Sequence, residues 1–383
     1  MIFNLGKAIM DAINTVSNEM QKQQNQQPKD DSQPKHMAPD DRNVSPASRP
    51  GTSGPSAMGE SSDFCTGRQY TPSLDFGRIW RFNRTLLSKQ DQDLYDAISA
   101  ATTRCIPSVK IRCSGTPDPN HLMQVTLALI EDDPSLFYID SGITVRTMGD
   151  VAEIVFKYNR YLDQKDKIYE QMKTVAKQVY NSRVRRCSTV FEAELAIHDY
   201  FTENVVYDGS DDVGSHSPVG PLLTNRGVCE GISEAYCFIA CACGIKTSMM
   251  SGMLNNERHR WNLVEIEGKR YHLDVTSDLS GLHAFFNCDD SKLRQTHSFE
   301  KRCDCRSMDM NYHSVNGSSF SNLNDAAGYI RDNAASAPRT FEFMLARTAD
   351  PQTIGKAVQS GLRRNATINI TSSSNGCYRI IIK

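Results

Sequence analysis

A fold that mixes helices with short antiparallel strands is what the sequence predicts, and three stretches predict it. "RHRWNLVEIEGKRYHLDVTSD", residues 258 to 278, places Leu263, Val264 and Ile266 before a Glu267-Gly268 turn and Tyr271, Leu273 and Val275 after it, which reads as a hairpin. "NRGVCEGISEAYCFIACACGI", residues 225 to 245, spaces Ile232, Ala235, Tyr236, Ile239 and Ala242 as a helix does, with Gly244 as its stop. The C-terminal segment runs strand ("TFEFMLA"), helix ("PQTIGKAVQSGLRR"), strand ("ATINIT") and strand ("CYRIIIK").

The remaining elements follow in chain order. Residues 1–20 set Ile2, Leu5, Ile9, Ile13, Val16 and Met20 three and four apart, one apolar stripe of an amphipathic helix. Residues 21–68 are expected as a disordered linker, because Gln, Pro, Ser, Asp and Lys dominate and almost nothing there can be buried. The first helix then docks on a protein partner or self-associates, anchors weakly to a membrane surface, or merely caps the folded body; its polar face is not strongly basic, which makes the membrane reading the weakest. A helix is expected across Gln90 to Thr103, a strand at "SVKIRC", a helix at "HLMQVTLALI" and a strand pair around Gly149-Asp150. A long amphipathic helix covers Gln164 to Tyr180, and Thr189 with Glu192 forms a capping box for the next. The organisation expected is an N-terminal α/β region over 69–185, a core that carries the chemistry over 186–300, a linker with a helix over 301–337, and a βαββ unit over 338–383.

Composition narrows the classes. The chain has 383 residues and a net charge of -2, which argues against a nucleic-acid footprint. No run of eighteen apolar residues is present, so no spanning helix is expected. Twelve cysteines suggest disulfides, but Cys229, Cys237, Cys241 and Cys243 crowd around one helix and no signal peptide precedes them. A reduced, cytoplasmic chain is the expectation, with export by a non-standard route left open. The pairs Cys241/Cys243 and Cys303/Cys305 invite a zinc reading, but their spacing is too short for the usual ligand pair, so no metal is expected. No calcium-loop pattern appears, and no cofactor is expected.

The candidate chemistry lies in the two quoted stretches. Cys229 stands at the N-terminus of a buried helix, where unpaired N–H groups and the helix dipole favour a thiolate and could hold an oxyanion. A two-residue turn pairs Ile266 with Lys269, hence Trp261 with Asp274 and His259 with Thr276. His259 and Asp274 then lie diagonally on one face. Asp274 would orient and charge His259, which would activate Cys229. His272 is the rival histidine, on the same face but on the strand of Asp274. The bland alternative is that Asp274 caps a turn, His259 is a surface residue and Cys229 is only buried.

These residues resemble the transglutaminase-like superfamily of papain-type thiol enzymes, in the form of its bacterial members. "GVCEG" resembles the nucleophile block, "HRWNLVEIEGKRYHLDVT" the histidine and aspartate blocks, "IHDYFTENVVYD" the preceding helix and "AFFNCDD" a following strand, together covering about 190 to 300. The resemblance implies an α+β fold with a papain-like/transglutaminase-like core, in which the helix carrying Cys229 packs on an antiparallel sheet carrying His259 and Asp274. It implies thiol-dependent acyl transfer on peptide or protein amides, by a peptidase, an amidase or a transamidase. Arg260 and Ser277 depart from the family pattern, and an arginine beside the base either favours anionic substrates or points to solvent. The family's second oxyanion donor is not readable; Tyr207 and His216 are the candidates, with Glu230 and Trp261 as residues of the cleft. A catalytically silent scaffold, tethered through the first helix, is the alternative function.

Overall fold

The computed structural model describes residues 2–4, 64–210, 212–334, 340–362 and 366–382. The chain divides into two compact units, one around 81–174 and the other formed by the segment ending at Trp80 together with the chain from Val175 onward.

In the first unit, strands β1 (Ile2–Asn4), β2 (Ser108–Arg112), β3 (Thr144–Met148) and β4 (Val151–Val155) form an antiparallel sheet of order β1-β3-β4-β2. Helices α1 (Lys89–Thr103) and α2 (Pro119–Asp132) accompany it. The β3–β4 turn falls on Gly149-Asp150 as expected, with Gly149 at φ +61°. The strand Ile2–Asn4 corrects the expected helix at the start of the chain; the rest of that helix, and the linker as far as residue 63, lie outside the described residues. Strand β1 finds a partner in β3, and pairing overrides the helical spacing there.

The second unit carries the candidate chemistry. From Phe64 the chain is bound to it, which shortens the expected linker: Phe64 packs on Cys237, Cys241 and Met249, and the Cys65 N–H donates to the Gly244 carbonyl at 2.8 Å. Helix α3 (Lys165–Val179) leads into it and continues as a π-turn over Tyr180–Val184. Helix α4 (Val190–Asn204) opens on the reciprocal Thr189–Glu192 capping box. Helix α5 (Cys229–Ala242) is buried along nearly its whole length. It lies on an antiparallel sheet of order β8-β5-β6-β7, made of β5 (Lys246–Leu254), β6 (Glu257–Ile266), β7 (Lys269–Leu273) and β8 (His297–Ser298). The Cys237 and Cys241 thiols donate to the Thr247 carbonyl, and the Asn262 amide donates to the Ser233 carbonyl, tying helix to sheet.

The β6–β7 hairpin has the predicted register, Ile266 opposite Lys269 and Asn262 opposite Leu273. Glu267 and Gly268 both adopt positive φ, 53° and 72°, the type I′ geometry that a two-residue hairpin loop prefers. Strand β7 ends at Leu273, so Asp274 sits one residue beyond the ladder. The C-terminal sheet runs β9-β10-β12-β11, from β9 (Ser319–Phe320), β10 (Thr340–Leu345), β11 (Ile368–Ser372) and β12 (Cys377–Ile382). Helices α6 (Leu323–Asn333) and α7 (Pro351–Gly361) bury Ala326, Ile330, Ile354 and Val358 against Phe343, Tyr378 and Ile380.

Candidate active site

Two glycines explain how Cys229 is presented. A Cβ on Gly231 would stand 2.4 Å from the Ser215 carbonyl oxygen and 2.6 Å from that of Ser217; one on Gly227 would stand 2.6 Å from Pro221. The loop through 214–221 therefore lies directly on the backbone at either side of Cys229, and the Val228 N–H donates to Ser215 at 3.0 Å. In "GVCEG" the glycines make room and the cysteine takes the first helical position. Val228, the N-cap, supplies no side-chain acceptor, which leaves the tip of α5 to other partners. Cys229 itself is half-buried.

The imidazole of His259 is held by a carboxylate. Its Nε2–H donates to Asp274 Oδ2 at 2.8 Å, and the Cys229 sulfur is near enough to act on the charge of the ring. Since Nε2 is taken, the nitrogen left for sulfur is Nδ1. Burial of the ring works against its charge, but the Asp274 carboxylate and the Cys229 sulfur outweigh it and raise His259 to about 10. Asp274 is fully buried. Burial opposes its charge too, yet His259 and a second histidine hold its carboxyl well below the usual range. The Ser277 N–H donates to Oδ1 at 3.1 Å, and its hydroxyl donates to Oδ2. Ser277, a departure from the family pattern, thus serves the carboxylate.

The second histidine is His297, which sequence reasoning missed. Its Nε2–H donates to the same Oδ2 of Asp274 at 3.1 Å, and its Nδ1 faces the Thr296 hydroxyl at 2.8 Å. It enters on β8, the strand on the far side of β5 from β6. Nothing near His297 in the sequence marks it, because its partner stands 23 residues earlier.

The other candidates separate. His272 does not reach Asp274: its Nδ1 accepts the Trp261 Nε1–H at 3.1 Å and its Nε2–H donates to Asp290 at 2.9 Å. Trp261 is buried and stacks on the His259 ring, centroids 6.1 Å apart at 17°, so it backs the base. Arg260 neither points to solvent nor offers itself to an anion, for it pairs with Glu230 at 2.8 Å and Glu234 at 3.2 Å on α5. His216 meets the other oxygen of Glu230 at 3.2 Å. Burial together with the Glu230 charge pushes Glu234 up to about 8. Tyr207 is 46% exposed, on the two-residue strand Val206–Tyr207 beside Arg226–Gly227. Burial and the nearby Cys229 and Glu257 raise its hydroxyl, so it stands within electrostatic reach of the thiol.

Of the cysteine pairs weighed for zinc, Cys305 lies with His272 and Asp290 in a group of possible metal donors, and Cys241 and Cys243 belong to no such group among the described residues. Cys237 and Cys241 share the Thr247 carbonyl, and all the described cysteines are free thiols. His259, Asp274 and His297 hold donor atoms within 4.8 Å of one another. Both Nε2 protons are committed to Asp274, however, so a metal would have to displace them.

Residues 173–275, a span that contains Cys229, His259 and Asp274, match the model of the transglutaminase-like superfamily. Among solved structures the chain is similar to a candidate cysteine protease from Cytophaga hutchinsonii, at 15% identity over 34% of this chain and 55% of that one, with a TM-score of 0.24. It is also similar to a TGase, at 13% identity over 44% of this chain and 50% of that one, with a TM-score of 0.25. The chain spans about half the length of these structures. No curated protein matches it.

Proposed function

We propose that the second unit is a thiol-dependent acyl-transfer enzyme acting on peptide or protein amides, with Cys229 as nucleophile, His259 as base and Asp274 as the group that orients the base. The observation that carries this reading is the His259 Nε2–H donating to the buried Asp274 at 2.8 Å, with Cys229 at the uncapped tip of α5 near enough to act on the charge of that imidazole.

In this reading His259 Nδ1 takes the proton of Cys229 and the thiolate attacks the amide carbonyl. The oxyanion that forms is held by the first N–H groups of α5, which no side chain caps. His259 then gives its proton to the leaving amine, and the acyl group stays on sulfur as a thioester. An acceptor, deprotonated by His259, attacks the thioester and frees Cys229. Water as acceptor gives a peptidase or amidase, and an amine gives a transamidase; the first half-reaction is common to both. Tyr207, half-exposed and paired opposite Gly227, two residues before Cys229, is proposed to line the substrate cleft.

The test is alkylation of every cysteine by iodoacetamide, followed peptide by peptide across pH, in the wild type and in His259→Ala. Cys229 is expected to react fastest below pH 7 and to lose that lead in the variant. A Cys229 that reacts no faster than Cys65 or Cys187 would overturn the reading.

A further inference from the structure

Among the described residues, four groups of histidine, cysteine and carboxylate side chains bring donor atoms within 4.8 Å of one another. Counting ring protons separates them. In the group of His259 the Nε2 protons serve Asp274. In the group of His272, Asp290 and Cys305, the Trp261 N–H occupies Nδ1, so Nε2 must keep its proton for Asp290. In the group of His198, Asp199 and His283, both nitrogens of His198 face carboxylates, Asp199 at 3.0 Å and Asp278 at 3.2 Å. The fourth group is different. His313 Nδ1 can donate to the Ser318 hydroxyl at 3.0 Å, which leaves the Nε2 lone pair directed at the Cys377 thiol, 3.2 Å away.

We propose that His313 Nε2, Glu342 Oε1 and Cys377 Sγ form a site for a zinc-like divalent cation, separate from the candidate active site. Their mutual distances are 3.2 Å (His313 to Cys377), 3.6 Å (His313 to Glu342) and 3.7 Å (Cys377 to Glu342). Tetrahedral zinc with ordinary bonds to sulfur, nitrogen and oxygen sets its ligands about 3.3–3.6 Å apart, so the triangle needs to move by only a few tenths of an ångström. The donor chemistry, one thiol, one imidazole and one carboxylate, suits zinc rather than calcium or magnesium.

The surroundings hold the donors in place. Glu342 Oε2 accepts from Arg379 at 2.7 Å, and Oε1 accepts from the His283 backbone N–H at 2.7 Å and from the His283 Nδ1–H at 3.1 Å, a ring contact that a bound ion would have to share or displace. Ser318 fixes the His313 ring, as the outer partner of a metal-binding histidine does. His313 and Cys377 are fully buried. Binding would break the Cys377 S–H bond, release that proton to solvent and form the sulfur–metal bond. Among the described residues three donors are grouped here, so water or another small ligand would complete the tetrahedron. The ion would join β10, which carries Glu342, and β12, which begins at Cys377, to the segment around His313. It would therefore act on the anchoring of the C-terminal sheet.

The experiment uses the full chain with Cys229→Ala, which removes the candidate active-site thiol as a competitor. One equivalent of cobalt(II) is expected to give a tetrahedral spectrum with a thiolate charge-transfer band. Cys377→Ser should abolish that band, and Cys305→Ser should leave it. Zinc X-ray absorption on the same protein guards against misfolding of the Cys377 variant: one sulfur with nitrogen and oxygen neighbours supports the site. Two or more sulfurs per zinc, or a cobalt band that survives Cys377→Ser, would place the metal elsewhere and overturn the proposal, as would the absence of any bound metal.

Discussion

His259 and His297 present their Nε2–H groups to one and the same oxygen of Asp274, at 2.8 and 3.1 Å, with ring centroids 5.3 Å apart. A fully buried carboxylate would ordinarily take up a proton. Here it stays charged because two imidazoles and both donors of Ser277 converge on it. The aspartate is therefore a fixed negative pole, and the base that leans on it is pushed toward the imidazolium.

Asp274→Asn tests that pole. The amide has the shape of the carboxylate but no charge, and its nitrogen cannot accept from an imidazole. Any amide-cleaving or transfer activity should fall on the order of 10³–10⁴-fold. The alkylation rate of Cys229 at pH 6 should fall to that of His259→Ala. Lost thermal stability with an unchanged alkylation rate would assign Asp274 a structural role only.

His297→Ala separates the supporting histidine from the base. It removes one donor from Asp274 and leaves His259 in place. Stability should drop by about 1–3 kcal/mol for the lost buried hydrogen bond. Alkylation of Cys229 should slow less than in His259→Ala. If the two histidine variants slow the thiol equally, His297 does more than position the carboxylate.

Gly231→Ala probes the close approach of the loop to the helix tip. The added methyl group meets two carbonyl oxygens, of Ser215 and Ser217, that belong to backbone and cannot swing aside. A cost of about 1–3 kcal/mol is expected, read as a lower denaturation midpoint at unchanged slope. Cys229 reactivity should fall with it, because the shifted loop carries the acceptor of the Val228 N–H. Gly355→Ala is the control, since a Cβ there meets only the tip of Ile370 at 3.6 Å.

Local signals were legible where the physics is local. The Thr189 capping box, the Gly149-Asp150 and Glu267-Gly268 turns and the period of α5 depend on neighbours within a few residues. The juxtaposition of His259 and Asp274 was legible because a two-residue turn sets the register of the hairpin as far as Asn262 and Leu273; the expected pairs Trp261–Asp274 and His259–Thr276 lie beyond the ladder, and Asp274 reaches His259 from just past its end. His297 was not, because β8 joins the sheet by pairing with β5 from 43 residues further along the chain, Leu254 opposite His297. The fate of Arg260 was hidden for a related reason: its partners Glu230 and Glu234 lie on a helix that only packing brings over β6. The meeting of His313, Glu342 and Cys377 was hidden as well, because they come from three separate elements.

Acid and base should act on the His259–Asp274 pair from opposite sides. In the folded chain His259 is raised to about 10, against about 6.5 for a free imidazole. Stability from its charged form is therefore fully present below about pH 6.5 and is lost as pH climbs toward 10. Asp274 is lowered in the folded chain, so its contribution is present above about pH 4 and is lost as pH falls below that. Between those limits both groups carry their charges in the native state and the pair contributes most. The difference in melting temperature between wild type and His259→Gln cancels the titration of every other group that the substitution leaves alone. It should be largest between about pH 4 and 6.5 and should shrink steadily as pH approaches 10. A difference that stays flat from pH 5 to 10 would mean that His259 is held by packing against Trp261 rather than by the charge of Asp274.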